Sequence, residues 1–127
     1  MILAIRSMDA AKEAGVDRYV MVSYLRARAG HGVATDDPFY PYIESKKAAD
    51  EHLRGSGLDY TILAPDVLSL DEPTGRIDRV IVPADRTTVP RADVAAVAAA
   101  VLTDPTTIGR TIGFRAGGTP IAEAIHG

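Results

Sequence analysis

The feature that most narrows the possible folds is an alternation of helical periodicity and short β-rich runs. Between residues 2 and 14, Leu3, Ile5, Met8, Ala11 and Ala14 fall mostly at helical spacing, and Gly15 supplies a natural stop. Arg18-Tyr19-Val20-Met21-Val22-Ser23 is short and rich in β-branched and aromatic residues, which predicts a buried strand. A glycine-containing loop runs on to Asp37. Asp37-Pro38 then has the form of an N-cap followed by proline at the first helical position, predicting a helix over residues 38–54 that stops at Gly55-Ser56-Gly57. Asp59-Tyr60-Thr61-Ile62-Leu63 predicts a second strand, ended by Ala64-Pro65-Asp66. Beyond a long loop come a short strand over residues 79–82 and an Ala/Val-rich helix over 94–102. A last strand at 111–114 and a terminal helix at 120–125 complete the chain. Helix and strand in turn imply an α/β domain with parallel strands joined by helical crossovers. Strands apolar on both faces suit a sheet covered by helices.

Composition excludes several function classes. The 127 residues are enough for one domain with a sizeable core. A net charge of −3 leaves no broad basic field for nucleic acid or anionic lipid. There is no cysteine, so disulfides, thiolate nucleophiles and zinc–thiolate sites are ruled out, and a reducing cytoplasm suits the chain. No apolar run approaches the roughly 20 residues of a membrane span. The opening Met1-Ile2-Leu3-Ala4-Ile5-Arg6 is unlike a secretory signal and reads as the inside of a helix already begun.

The most informative string is Tyr42-Ile43-Glu44-Ser45-Lys46. Tyr42 and Lys46 are four apart and share one helix face. A cation beside a phenol favours the phenolate, and such a tyrosine can exchange a proton with a carbonyl or alcohol. Lys46 could also reach a ribose hydroxyl. Ser23 ends the preceding strand, and ligands of open parallel sheets bind at such strand ends. A serine there can donate to the same substrate oxygen. The plain alternatives are a solvated Tyr/Lys pair and a strand-end cap.

In this context the chain resembles the C-terminal part of an atypical short-chain dehydrogenase/reductase, of the NAD(P)-binding, NmrA-like or epimerase/dehydratase-like kind. The strings that carry the resemblance are Asp9-Ala10-Ala11-Lys12-Glu13-Ala14-Gly15-Val16-Asp17-Arg18-Tyr19-Val20-Met21-Val22-Ser23 and Tyr42-Ile43-Glu44-Ser45-Lys46-Lys47-Ala48-Ala49-Asp50. Ser56-Gly57-Leu58-Asp59-Tyr60-Thr61-Ile62-Leu63-Ala64-Pro65, Arg91-Ala92-Asp93-Val94-Ala95 and Ile108-Gly109-Arg110-Thr111 continue it. The resemblance implies a Rossmann-like doubly wound sheet and an NAD or NADP cofactor. It implies Ser23, Tyr42 and Lys46 as catalytic residues. Tyr42, Lys46, Pro65 and Val67 would lie against the cofactor. The activity implied is an NAD(P)-dependent oxidoreductase or epimerase/dehydratase acting on a small carbonyl or hydroxyl substrate. A non-catalytic dinucleotide-binding regulator or redox sensor is the alternative, with an inactive fragment of either as a third reading.

Two departures stand out. The family usually has arginine before the proline and often glycine after it, where this chain has Ala64 and Asp66. The family's GxxGxxG turn, which sets cofactor phosphates on a helix N-terminus, does not occur; Gly30-His31-Gly32 is a bare GxG in a loop. The expectation is therefore a shortened product or a misplaced start, with the strand at 18–23 left as an open edge. The resemblance also implies a homodimer through the helices at 2–14 and 38–54. His31, His52 and His126 are scattered, and no metal site is expected. Asp93 and Arg91 read as a helix cap and a local ion pair; Arg76, Arg79, Arg86 and Arg91 together could meet a cofactor phosphate but read rather as dispersed surface charge.

Overall fold

A computed structural model of the chain describes residues 2–23, 25, 35–38, 40–80 and 87–126. The Gly30-His31-Gly32 string lies outside the described residues. The elements are α1 (Ile2–Glu13), β1 (Arg18–Val22), α2 (Tyr40–Arg54), β2 (Asp59–Pro65), β3 (Val67–Ser69) and β4 (Arg76–Arg79). They continue with β5 (Thr88–Pro90), α3 (Arg91–Leu102), a 3-10 turn (Pro105–Thr107), β6 (Arg110–Ala116), β7 (Thr119–Pro120) and α4 (Ile121–Ala124).

Local chemistry sets the boundaries. Gly15, at φ +75°, ends α1 in a Schellman arrangement: its N–H reaches the Lys12 carbonyl, and that of Val16 reaches Ala11 (3.1 and 2.9 Å). The second helix starts two residues later than Asp37-Pro38 suggests. The Tyr40 N–H bonds the Asp37 carbonyl at 2.9 Å, closing a turn ahead of the helix. Pro41, not Pro38, is the first-turn proline, where a missing N–H costs nothing.

The main sheet has the order β1-β2-β6-β4-β7. β1, β2 and β6 run parallel, with Arg18 opposite Asp59 and Thr61 opposite Arg110. β4 is antiparallel to β6, and β7 to β4, so the sheet is mixed and not wholly parallel. No helix lies between β2 and β4 to carry the chain back over the sheet, so β4 returns in the opposite direction. The strand foreseen at 79–82 is observed at Arg76–Arg79, and a Val80 N–H bond to the Gly113 carbonyl (2.8 Å) extends the pairing. β3 and β5 form a second, two-stranded parallel sheet absent from the sequence reading.

Alternation along the strands fills two core layers. Ile62 packs with Met8, Ala49, Leu53 and Leu58 under α1 and α2. Its neighbour Leu63 points the other way, joining Val94, Val97, Val101, Ile112 and Phe114 under α3. Each such buried side chain contributes about 1.5–3 kcal/mol. Arg18 ties the layers at one end: its guanidinium donates to Asp59 O, Thr61 Oγ1 and Val101 O (each 2.8 Å) and to Thr107 Oγ1 (3.1 Å). Gly113 is required by close approach, since a Cβ there would collide with the Val80 carbonyl oxygen. No helix among the described residues is long and apolar enough to cross a membrane.

Candidate functional site at the strand ends

The carboxyl ends of β1 and β2 lie side by side, because pairing continues past β1: the Ser23 N–H bonds Leu63 O (2.6 Å) and that of Leu25 bonds Pro65 O (3.0 Å). Outside these ends is a cleft of about 610 Å³. Ser23, Tyr42, Pro65 and Val67, four of the expected site residues, are on its walls, and Arg91 faces them. Lys46 is not on the wall. It sits one turn beyond Tyr42, with Nζ 5.7 Å from the centre of the tyrosine ring. Tyr42, in the first turn of α2, is 49% exposed, whereas Ser23 is buried.

Ser23 is not free to face the cleft with its proton. Its hydroxyl donates to Asp50 Oδ2 at 2.9 Å. Asp50 is itself buried, and its Oδ1 has no hydrogen-bond partner among the described residues. Burial pushes the Asp50 carboxyl up to about 6, against the Ser23 hydrogen bond and the charges of Arg54 and Lys46, which favour ionisation. Asp50 is not among the residues expected at the site from sequence. The available signal was its place in the stripe Tyr42, Lys46, Asp50, spaced i, i+4, i+8 on one helix face.

Asp66, where the resembling family often has glycine, is a buried clamp. It accepts from Val67 N (2.9 Å), Thr87 N (3.0 Å) and Thr87 Oγ1 (2.7 Å), holding β3 beside β5. Asp93 likewise caps no helix. Its two oxygens accept from Thr74 N and Gly75 N (3.0 and 2.9 Å), tying the loop before β4 to α3. Arg91, at the first position of α3, lines the cleft and so is not merely dispersed surface charge.

Chemically, the cleft combines an exposed phenol, with an ammonium one helical turn behind it, with apolar surface from Pro65, Val67 and Leu68, and Arg91 lines it as well. Parallel strands with helices on both faces, and a cleft at their carboxyl ends, define a Rossmann-like α/β protein. Residues 2–105 match the model of the NAD(P)H-binding family, and the chain belongs to that family. It is 35% identical to the "Uncharacterized sugar epimerase YhfK" of Bacillus subtilis, over 96% of this chain and 56% of that protein. It is similar to the solved structure of a "putative NAD-dependent epimerase/dehydratase" from Bacillus halodurans (TM-score 0.89, 32% identity, 97% of this chain and 57% of that one). The structure of the oxidoreductase ylbE from Lactococcus lactis is also similar (TM-score 0.85, 30% identity, 97% and 57%). The chain thus spans a little over half the length of these relatives.

Proposed function

We propose that this chain forms the nicotinamide end of an NAD(P) site in an oxidoreductase or epimerase/dehydratase-like protein acting on a small carbonyl or hydroxyl compound. The observation that carries the reading is the convergence of Ser23, Tyr42, Pro65 and Val67 on one cleft at the carboxyl ends of β1 and β2. The cleft falls in the size range of small-molecule sites, and its apolar wall at Pro65, Val67 and Leu68 suits a flat ring. When bound, the dinucleotide supplies hydride transfer. Tyr42 gives or takes the proton of the substrate oxygen as general acid/base. Lys46, over the Tyr42 ring, holds the nicotinamide ribose. Ser23 hydrogen-bonds the same substrate oxygen. Pro65 and Val67 support the ring. The homodimer through α1 and α2 belongs to this proposal. Sedimentation should show a species of twice the 13.5 kDa chain mass.

The test combines calorimetric titration of NADPH and NADH with a turnover assay on a panel of small carbonyl compounds. Tyr42→Phe is expected to lower NADPH-dependent reduction about 100-fold or more and to leave cofactor binding unchanged. Unchanged turnover in that variant removes Tyr42 from the mechanism, and absence of binding by either cofactor removes the site. The Ser23 hydroxyl, already engaged by Asp50, favours a second reading: a dinucleotide-binding regulator. Cofactor binding by the unaltered chain with no turnover on any substrate would select it.

A further inference from the structure

We infer that Asp50 is a positioning residue of this cleft, whose carboxyl holds the Ser23 hydroxyl and decides whether Ser23 meets a bound oxygen as acceptor or as donor. The inference rests on the reading of Ser23 given above. A serine has one proton to donate and two lone pairs to offer. An ionised carboxylate only accepts, so at 2.9 Å the ionised Asp50 engages the serine O–H as acceptor and leaves the serine lone pairs for the cleft. A protonated Asp50 reverses the bond. It donates to Ser23 Oγ, and the serine O–H is released to donate to a ligand carbonyl.

The surroundings let both forms exist. Both partners are buried, Asp50 at 4% exposure and Ser23 at 6%. Among the described residues Asp50 Oδ1 has no hydrogen-bond partner, so the charged form is left under-satisfied. Burial raises the carboxyl to about 6. Lys46 and Arg54, one turn to either side on α2, favour the charge, and Glu51 opposes it. From α1, Asp9 lies 3.6 Å from His52 of α2, and β2 packs Ile62 against that helix. The end of β1 supplies Ser23 itself. The pair therefore changes hands within the pH range in which proteins work, at a polar group on the cleft wall.

Direct titration tests this without any turnover. The intact chain, carrying carbon-13 in its aspartate carboxyl groups, is followed by NMR from pH 3 to pH 8. One carboxyl, absent from Asp50→Asn, is expected to titrate with a midpoint near 6. Ser23→Ala removes a hydrogen bond to the charged form and is expected to move that midpoint up by about one unit. A midpoint at the ordinary aspartate value of about 4, or one unmoved in Ser23→Ala, overturns the inference. Tyr42→Phe is expected to leave the midpoint in place, so loss of the proposed chemistry and loss of this coupling are read separately. Should Tyr42→Phe move it as far as Ser23→Ala does, Asp50 is not specifically coupled to Ser23, and the assignment fails.

Discussion

The two walls of the cleft are built by different physics. One wall comes from the β1–α2–β2 crossover, which rests on apolar periodicity and glycine stops: Leu53 and Ile62 fill the layer, and Gly15 ends α1. The other wall, from β2 to the start of α3, presents Pro65, Val67 and Leu68 to the cleft but is built of strands only three or four residues long. Two buried carboxylates organise it, Asp66 across β3 and β5 and Asp93 across the loop before β4 and α3. The comparison separates duties. The helical side carries Ser23 and Tyr42, with Lys46 one turn behind Tyr42, the groups proposed for proton transfer and ribose binding, while the carboxylate-clamped side supplies shape and Arg91. Chemistry on the first wall can be altered with little effect on folding. On the second, removal of a single carboxylate should undo the wall.

The largest expected effect is on the clamped wall. Asp66→Ala leaves three donors without their partner and should lower stability by about 3 kcal/mol in urea unfolding. A loss below about 0.5 kcal/mol would mean that β3 and β5 hold together without it. Asp50 gives an intermediate effect of opposite sign. Its carboxyl is raised when folded, so the folded chain binds the proton more tightly than the unfolded one between pH 4 and 6. The contribution is fully present below about pH 4 and is lost as pH rises through 6. Asp50→Asn should abolish that slope and stabilise the chain at pH 7 by about 2 kcal/mol, a value reduced for residual solvent contact. Unfolding curves at pH 4 and pH 7 check it. An unaltered slope in the variant would place the pH dependence elsewhere. The smallest effect belongs to Tyr42→Phe. With its ring half exposed, loss of the hydroxyl should change stability by less than about 0.5 kcal/mol. A larger loss would make Tyr42 structural and erase the contrast between the walls.

The same contrast explains what the sequence disclosed. Residues 2–14, 18–23, 38–54 and 59–63 are read from local signals, with periods of 3.6 and 2 and glycine or proline at the ends. The observed elements differ from those readings by at most two residues. β3 and β5 escape such reading because three-residue strands carry no period. The clamp that joins them also links Asp66 to Thr87, far along the chain. The antiparallel course of β4 and β7 depends on what lies between strands and not on the strands themselves. At the site, Tyr42 and Lys46 are visible as an i, i+4 pair. Asp50 stood in the same stripe, but its partner Ser23 comes from another element, and pairing across elements leaves no mark in spacing. The place of Arg91 on the cleft is not legible locally, because the cleft is formed only when the start of α3 is set beside the ends of β1 and β2 and the start of α2.

In the proposed site the two walls together hold the nicotinamide end of a dinucleotide. Amide and side-chain NMR shifts of the labelled chain, mapped during titration with NADP and NAD, test it most directly. The account predicts shifts gathered at Ser23, Tyr42, Val67, Leu68 and Arg91, which weaken together in Lys46→Met. Shifts gathered away from these residues, or none up to millimolar cofactor, would contradict it.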